Sequence, residues 1–263
     1  MSTDHWRGLF RAWSTLPTPV RVASEAIDGI KAEVADISGP VLLLGMTSGL
    51  LDAAADITAI DQGSKLVGDL WPGNAPGRRA VVGDWLRLPF APASFAACIG
   101  DGSLISFDYP DKLRPLLSGV ARCLKPGGRF SCRVFLAPDQ PETIADLEAA
   151  IVQQRRPSFQ HFKFKLAMAI AAEQRSVNVS VAQIPEIFDS RFPDRGKLAA
   201  VTGWDRREIE TIDVYRGSTA TYAFPTMHQL VSVIPEAFRK PHFVPVPNHP
   251  MGRQWPILVM DLG

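Results

Sequence analysis

A short glycine-containing loop and three acids are the residues best placed to do chemistry. Gly45-Met46-Thr47-Ser48-Gly49 follows the apolar run Val41–Leu44. Asp61 closes the run Ile57–Asp61, Asp84 closes Arg79–Asp84, and Asp101 closes Ala96–Asp101. Glycine after a strand lets a ligand approach the backbone closely. An acid after the second run suits the paired hydroxyls of a ribose, and one after the third suits an exocyclic amine. Any one of these acids is equally well explained as a turn residue or a helix N-cap. Three in succession behind a glycine loop point instead to one nucleoside-shaped site.

The elements that must position these residues alternate. Short apolar runs at Val41–Gly45, Ile57–Asp61, Arg79–Asp84, Ala96–Asp101 and Arg129–Phe135 read as buried parallel strands. Glu25–Val34 carries Ala26, Ile27, Ile30 and Val34 on one helical face, and Asp111–Leu124 carries Leu113, Leu116, Leu117, Val120 and Leu124. Pro115 sits near that helix's start, and Lys125-Pro126-Gly127 stops it. Strand–helix alternation predicts a parallel sheet with right-handed crossovers and a ligand outside the carboxyl ends of the strands. After Pro141 the pattern changes. Glu142–Gln154 and Phe162–Glu173 read as helices, Thr211–Tyr215 and Trp255–Asp261 as strands. This half is expected to complete the same sheet and cover its open edge, with a separate domain as the alternative.

Composition narrows the function classes. The 263 residues are 46% hydrophobic and 21% charged, with a formal net charge of +1. That balance argues against wholesale nucleic-acid binding. Arg155–Lys165 interleaves bases with Phe159, Phe162 and Phe164, a pattern that could stack on nucleic acid but better suits a helix covering the substrate pocket or a plain amphipathic surface helix. Cys98, Cys123 and Cys132 form no CxxC pair, so neither a disulfide framework nor a metal site is expected. Met1–Phe10 has no apolar signal core, and Leu166–Ala172 is too short to span a bilayer, so the expected location is cytoplasmic.

From about Val41 to Phe135 the chain resembles the class I S-adenosylmethionine-dependent methyltransferase family. Val41-Leu42-Leu43-Leu44-Gly45-Met46-Thr47-Ser48-Gly49 resembles the family's glycine loop. Ile57-Thr58-Ala59-Ile60-Asp61 resembles its second strand with the ribose-binding acid. Gly83-Asp84-Trp85, followed by Leu88-Pro89-Phe90 and Phe95, resembles its adenine-side motif. Arg122-Cys123-Leu124-Lys125-Pro126-Gly127-Gly128-Arg129 resembles the turn before its fifth strand. Two departures stand out. Leu43 occupies a position where the family usually carries an acid, and Thr47 replaces the loop's middle glycine. Only eleven residues separate Gly49 from Asp61, so any helix between them is short.

The resemblance implies an α/β, Rossmann-like fold: a mostly parallel seven-stranded sheet with helices on both faces. It implies one methyltransferase domain over 1–263, with a helical cap at 1–40, a cofactor-binding core at 41–136, and substrate-side elements and final strands at 137–263. The implied cofactor is S-adenosylmethionine, and the partner is a small-molecule acceptor, with no nucleic acid and no membrane. The cofactor-binding residues are then Gly45, Thr47, Gly49, Asp61, Asp84, Trp85, Asp101 and Arg21, the last toward the methionyl carboxylate. Methyl transfer depends chiefly on alignment, and a base is needed only if the acceptor must lose a proton. Asp101, beside Gly102-Ser103, is the candidate catalytic base. The rivals are His5, His161, His228, His242 and His249, the last in the rigid loop Pro247-Asn248-His249-Pro250. Trp6, Trp13 and Trp71 could close over a sulfonium through their ring faces. Phe162, Lys163, Tyr222 and His228 are expected to shape the acceptor pocket. Two other readings use the same fold: a different adenosyl-ligand enzyme such as an aminopropyl transferase, and a non-catalytic binding or regulatory protein.

Overall fold

The apolar runs form strands, and their alternation decides which residues face which layer. A computed structural model describes residues 22–153, 158–249 and 251–263. It contains two compact units, Val22–Leu136 with Pro225–Gly263, and Ala137–Phe224. The first unit holds a seven-stranded sheet. Its strands are β1 (Val41–Leu44), β2 (Ile57–Asp61), β3 (Arg78–Val82), β4 (Phe95–Asp101), β5 (Leu124–Arg133), β8 (Phe238–Val244) and β9 (Ile257–Leu262). They lie in the order β3-β2-β1-β4-β5-β9-β8. β1 to β5 run parallel, while β9 pairs antiparallel with β5 and with β8.

Each face of this sheet has its own core. Val41 and Leu43, with Ile57, Ala97, Ile99 and Val259, pack against Ala26, Ile27 and Ile30 of helix α1 (Ser24–Ala32). Leu42 and Leu44, with Ile60, Cys98, Phe130 and Met260, pack on the opposite side. There they meet Leu113, Leu116, Leu117 and Val120 of helix α3 (Leu113–Cys123) and Leu230 of α9 (Met227–Ser232). Each fully buried leucine contributes about 1.5–3 kcal/mol of transfer free energy. Helix α2 (Ser64–Leu70) connects β2 and β3. Pro115 lies in the first turn of α3, where its missing N–H costs nothing. Cys98, Cys123 and Cys132 are all buried free thiols. Desolvation pushes the Cys98 thiol well up and that of Cys132 to about 12, so both pack as small hydrophobes.

The second unit is mainly helical. It holds α4 (Ile144–Val152), α5 (Phe159–Glu173), α6 (Gln183–Arg191), α7 (Arg195–Thr202) and α8 (Arg206–Glu210). A two-stranded sheet pairs β6 (Asn178–Ser180) with β7 (Thr221–Ala223). A capping box between Thr143 and Asp146 starts α4, and Ser158 caps α5. Helix α5 is buried on every side, from Phe159 and Phe162 through Leu166 to Ile170, and a helix apolar all round needs a complete shell of neighbours. That shell includes Phe188 and Trp204, whose rings meet Phe159 at 5.7 and 5.4 Å. The guanidinium of Arg195 bridges Asp189 and Asp213, each at 2.7 Å, fastening α7 to α6 and to the segment after α8.

The second half of the chain therefore divides where a single sheet-completing segment was expected. Only β8 and β9 join the large sheet, and Ala137–Phe224 folds around its own core. Thr211–Tyr215, expected as a strand, is a 3-10 helix. Its buried residues are Ile212 and Tyr215, three apart, which is the repeat of a 3-10 turn. The hydroxyl of Thr211 also donates to the carbonyl of Glu208 at 2.6 Å, holding the chain in a turn.

Candidate cofactor and active site

The parallel strands bring the expected residues to one edge. Gly45, just beyond β1, has φ +104° and donates its N–H to the carbonyl of Ile60 at 2.9 Å. A Cβ there would lie 3.9 Å from the Trp85 ring, so its backbone angle, not crowding, demands glycine. Gly49 has a different reason. A Cβ on it would come within 2.9 Å of Ile27 Cδ1, so this glycine lets the 3-10 turn Ser48–Leu50 sit against α1. Thr47 opens that turn, but its side chain makes no cap bond. Leu43, where the family's acid would stand, is fully buried in the α1-side core.

Asp61 ends β2 and accepts the Gly63 N–H at 3.0 Å. Burial lifts its carboxyl above the usual range, while N–H groups of Gly63 and Gln62 pull the other way. A partly desolvated carboxylate with remaining acceptor sites is suited to a pair of hydroxyl donors. Asp84 is exposed and caps the 3-10 turn Trp85–Arg87, accepting from Leu86 N–H at 3.0 Å. The indole N–H of Trp85 donates to the Ile60 carbonyl at 2.9 Å, and its ring stacks on Phe107 at 5.7 Å. Trp71 bonds Asn74 at 2.8 Å and packs against the α1-side core. Arg21, Trp6, Trp13 and His5 lie outside the described residues.

Asp101 is committed to a partner. Arg133 Nε and Nη2 donate to its two oxygens at 2.5 and 3.0 Å, with Arg133 only 1% exposed. The pairing follows from register, since Asp101 and Arg133 stand opposite each other at the ends of β4 and β5. The guanidinium lies 5.0 Å from the centre of the Phe135 ring. An arginine at the end of an otherwise apolar strand, Phe130 to Phe135, was the available sequence signal for this pair. Ser103 donates to the Leu44 carbonyl at 2.9 Å, tying the loop after β4 to the end of β1.

The structure also places His249, which sequence reasoning left in an unassigned loop. Its imidazole is held below the ordinary range by burial and by nearby Arg133, with Glu25 and Asp101 opposing. Nδ1 accepts the Met251 N–H at 3.1 Å, so the neutral ring carries its proton on Nε2 and presents a donor. The other histidines are placed otherwise. His161 shares a 2.6 Å bond with Ser158, His242 faces the Lys240 carbonyl at 3.1 Å, and His228 is exposed on α9.

Residues 44–132 match the family model of the methyltransferase domain. Within that span, about a third of the chain, the protein carries a methyltransferase domain. No curated protein sequence matches the chain. Three solved structures share the fold of this chain. One, from Rhodobacter sphaeroides, is named among the zinc-dependent alcohol dehydrogenases: TM-score 0.61, 12% identity, 99% of this chain and 97% of that one. Another is an S-adenosylmethionine-dependent methyltransferase from Mesorhizobium loti: TM-score 0.52, 12% identity, 91% and 98% covered. The third is the N-methyltransferase NodS from Bradyrhizobium japonicum with S-adenosylhomocysteine: TM-score 0.51, 10% identity, 98% of each chain covered. At such identities the likeness is one of fold. The left-handed Gly45 backbone and the desolvated Asp61 carboxylate fit an adenosyl group.

Proposed function

We propose that this methyltransferase transfers a methyl group to a small-molecule acceptor and that all of 1–263 works as one functional domain, with Ala137–Phe224 inserted to read the acceptor. The observation that carries this reading is a cavity of about 520 Å³ within that unit, lined by Leu147, Ala150, Ile151 and Phe162 with Glu142 and Lys165 among its polar groups. That volume falls in the range of small-molecule sites, about 300–1,000 Å³. Of the other positions expected to shape the pocket, Lys163 and Tyr222 are fully buried, so they support the unit from inside.

In this reading Gly45, Thr47 and Gly49 shape the cofactor loop, Asp61 takes the ribose hydroxyls, and Asp84 with Trp85 flanks the adenine. Asp101 with Arg133 fixes the floor of the site, and Arg21 pairs with the methionyl carboxylate. S-adenosylmethionine supplies an electrophilic methyl group when bound. The protein's own contribution is then alignment, which effective molarities value at about 7–11 kcal/mol. Asp101 has both oxygens on Arg133 and neutral His249 is a donor, so neither stands ready to remove a proton. The balanced charge supports a small-molecule partner over nucleic acid.

Buried Leu43 and the Thr47 substitution favour one rival, a non-catalytic adenosyl-ligand binder. Isothermal titration with S-adenosylmethionine, followed by transfer of a labelled methyl group to a metabolite panel, separates the two. Binding with no transfer to any acceptor supports the rival.

A further inference from the structure

We propose that Lys163, Gln160 and Glu208 form a proton-operated latch inside the Ala137–Phe224 unit, a device independent of which acceptor is methylated. Lys163 projects from α5 into the unit's core and is 1% exposed. Its Nζ donates to Gln160 Oε1 at 2.6 Å. That is its one hydrogen bond among the described residues, so a charged ammonium would leave two N–H groups unmet. Gln160 turns its other end outward from the amine, donating through Nε2 to Thr211 Oγ1 at 3.1 Å. Backbone and side-chain N–H groups of Gln160 also face the carboxylate of Glu208 on α8. Glu208 Oε1 is buried with no hydrogen-bond partner among the described residues. A buried amine short of acceptors and a buried carboxylate oxygen short of a donor are thus held apart by one glutamine.

The surroundings define what titration does. Nζ sits over the ring of Tyr215 at 4.6 Å and is 6.0 Å from the centre of the Phe164 ring. Tyr222 on β7 donates to Tyr215 Oη at 3.3 Å, and burial pushes both phenols upward, so they stay neutral through the relevant range. Glu208 is the one charged group acting on the amine among the described residues, and Asp205 in turn acts on Glu208. Desolvation brings Lys163 down to about 7, against the upward pull of Glu208. Above that pH the neutral amine is met by Gln160 Oε1, while the Tyr215 ring face, which attracts the ammonium, opposes loss of the proton without outweighing burial. Below it, the ammonium needs a second acceptor, and the unmet oxygen of Glu208 is the available one. Forming that ion pair displaces Gln160, whose backbone lies in the first turn of α5, and so opens the packing of α5 on α8.

The direction of linkage is fixed. Between about 7 and the ordinary lysine value of 10.5 the opened state binds more protons than the closed state, so closure strengthens as pH rises. Hydrogen–deuterium exchange of the full chain, corrected for intrinsic rates, reads this in peptides covering 158–173 and 206–215. Protection in the native sequence should rise between pH 6.5 and 9, by at most about tenfold per pH unit. Lys163→Met should hold high, pH-independent protection with unchanged S-adenosylmethionine affinity. Glu208→Gln removes the charge that favours the ammonium and should move the rise to lower pH. A Lys163→Met protein with the native pH dependence overturns the latch, as does a Glu208→Gln protein whose rise stays in place. Should Lys163→Met fail to fold, Glu208→Gln alone decides.

Discussion

Asp61 carries the most direct prediction at the scale of single residues. Asp61→Ala removes a charge-assisted acceptor for two hydroxyls, worth about 1.5–3 kcal/mol, so S-adenosylmethionine affinity by titration calorimetry should fall roughly tenfold or more. The pH dependence has a definite sign. Burial raises this carboxyl, so on acidification it protonates sooner than an ordinary aspartate, and affinity should begin to fall above the usual carboxylate range. Unchanged affinity in Asp61→Ala, or a pH profile that Asp61→Asn shares with the native protein, would contradict the assignment. Asp101 leads to a different expectation. Its substitution by Asn strands the charge of Arg133, which is 1% exposed, and breaking such a pair costs about 3–5 kcal/mol. Chemical denaturation should show that loss, and replacing both partners by leucine should cost less than replacing Asp101 alone. The acids at the strand ends were legible in the sequence because they punctuate apolar runs. Their partners were not: Arg133 becomes the mate of Asp101 only once parallel register sets the two side by side.

At the scale of elements, the glycine loop shows how one motif serves two physical ends. Gly45 adopts a left-handed backbone, whereas Gly49 makes room for Ile27 of α1. Gly49→Ala should therefore cost about 1–3 kcal/mol by overpacking, and Ile27→Val in the same chain should recover part of it. Thermal unfolding of the two variants checks this, and an undiminished midpoint in Gly49→Ala would place the turn elsewhere. The five parallel strands and the helices α1 and α3 were readable because each is periodic and bounded by turn residues. Thr211–Tyr215 was not, since five residues that alternate Ile212 and Val214 with polar neighbours fit a strand as well as a 3-10 turn. What decides is the burial of Ile212 and Tyr215 on one side and the Thr211–Glu208 bond, both tertiary facts. The Lys-Pro-Gly-Gly turn likewise merges into β5, which begins at Leu124, four residues after Val120 of α3.

At the scale of the whole molecule, the sequence is interrupted in a way its periodicity did not reveal. The large sheet takes its first five strands before Leu136 and its last two after Pro225, and the intervening Ala137–Phe224 buries its own core. Strand–helix periodicity reports which residues are buried but not against which partner, so the second half read as more of the same layer. The distinction matters for function because the intervening unit has a cavity of its own. Filling that cavity tests whether it reads the acceptor. Ala150→Trp adds a large ring to the lining beside Leu147, Ile151 and Phe162. If the cavity holds the acceptor, the variant should bind S-adenosylmethionine as the native protein does, while turnover of a methylated metabolite falls by at least tenfold through KM. Far-ultraviolet circular dichroism and the thermal midpoint establish that the unit still folds. Native turnover in a folded Ala150→Trp protein would remove the cavity from the reaction, and weakened cofactor binding would mean that the inserted unit serves the cofactor instead.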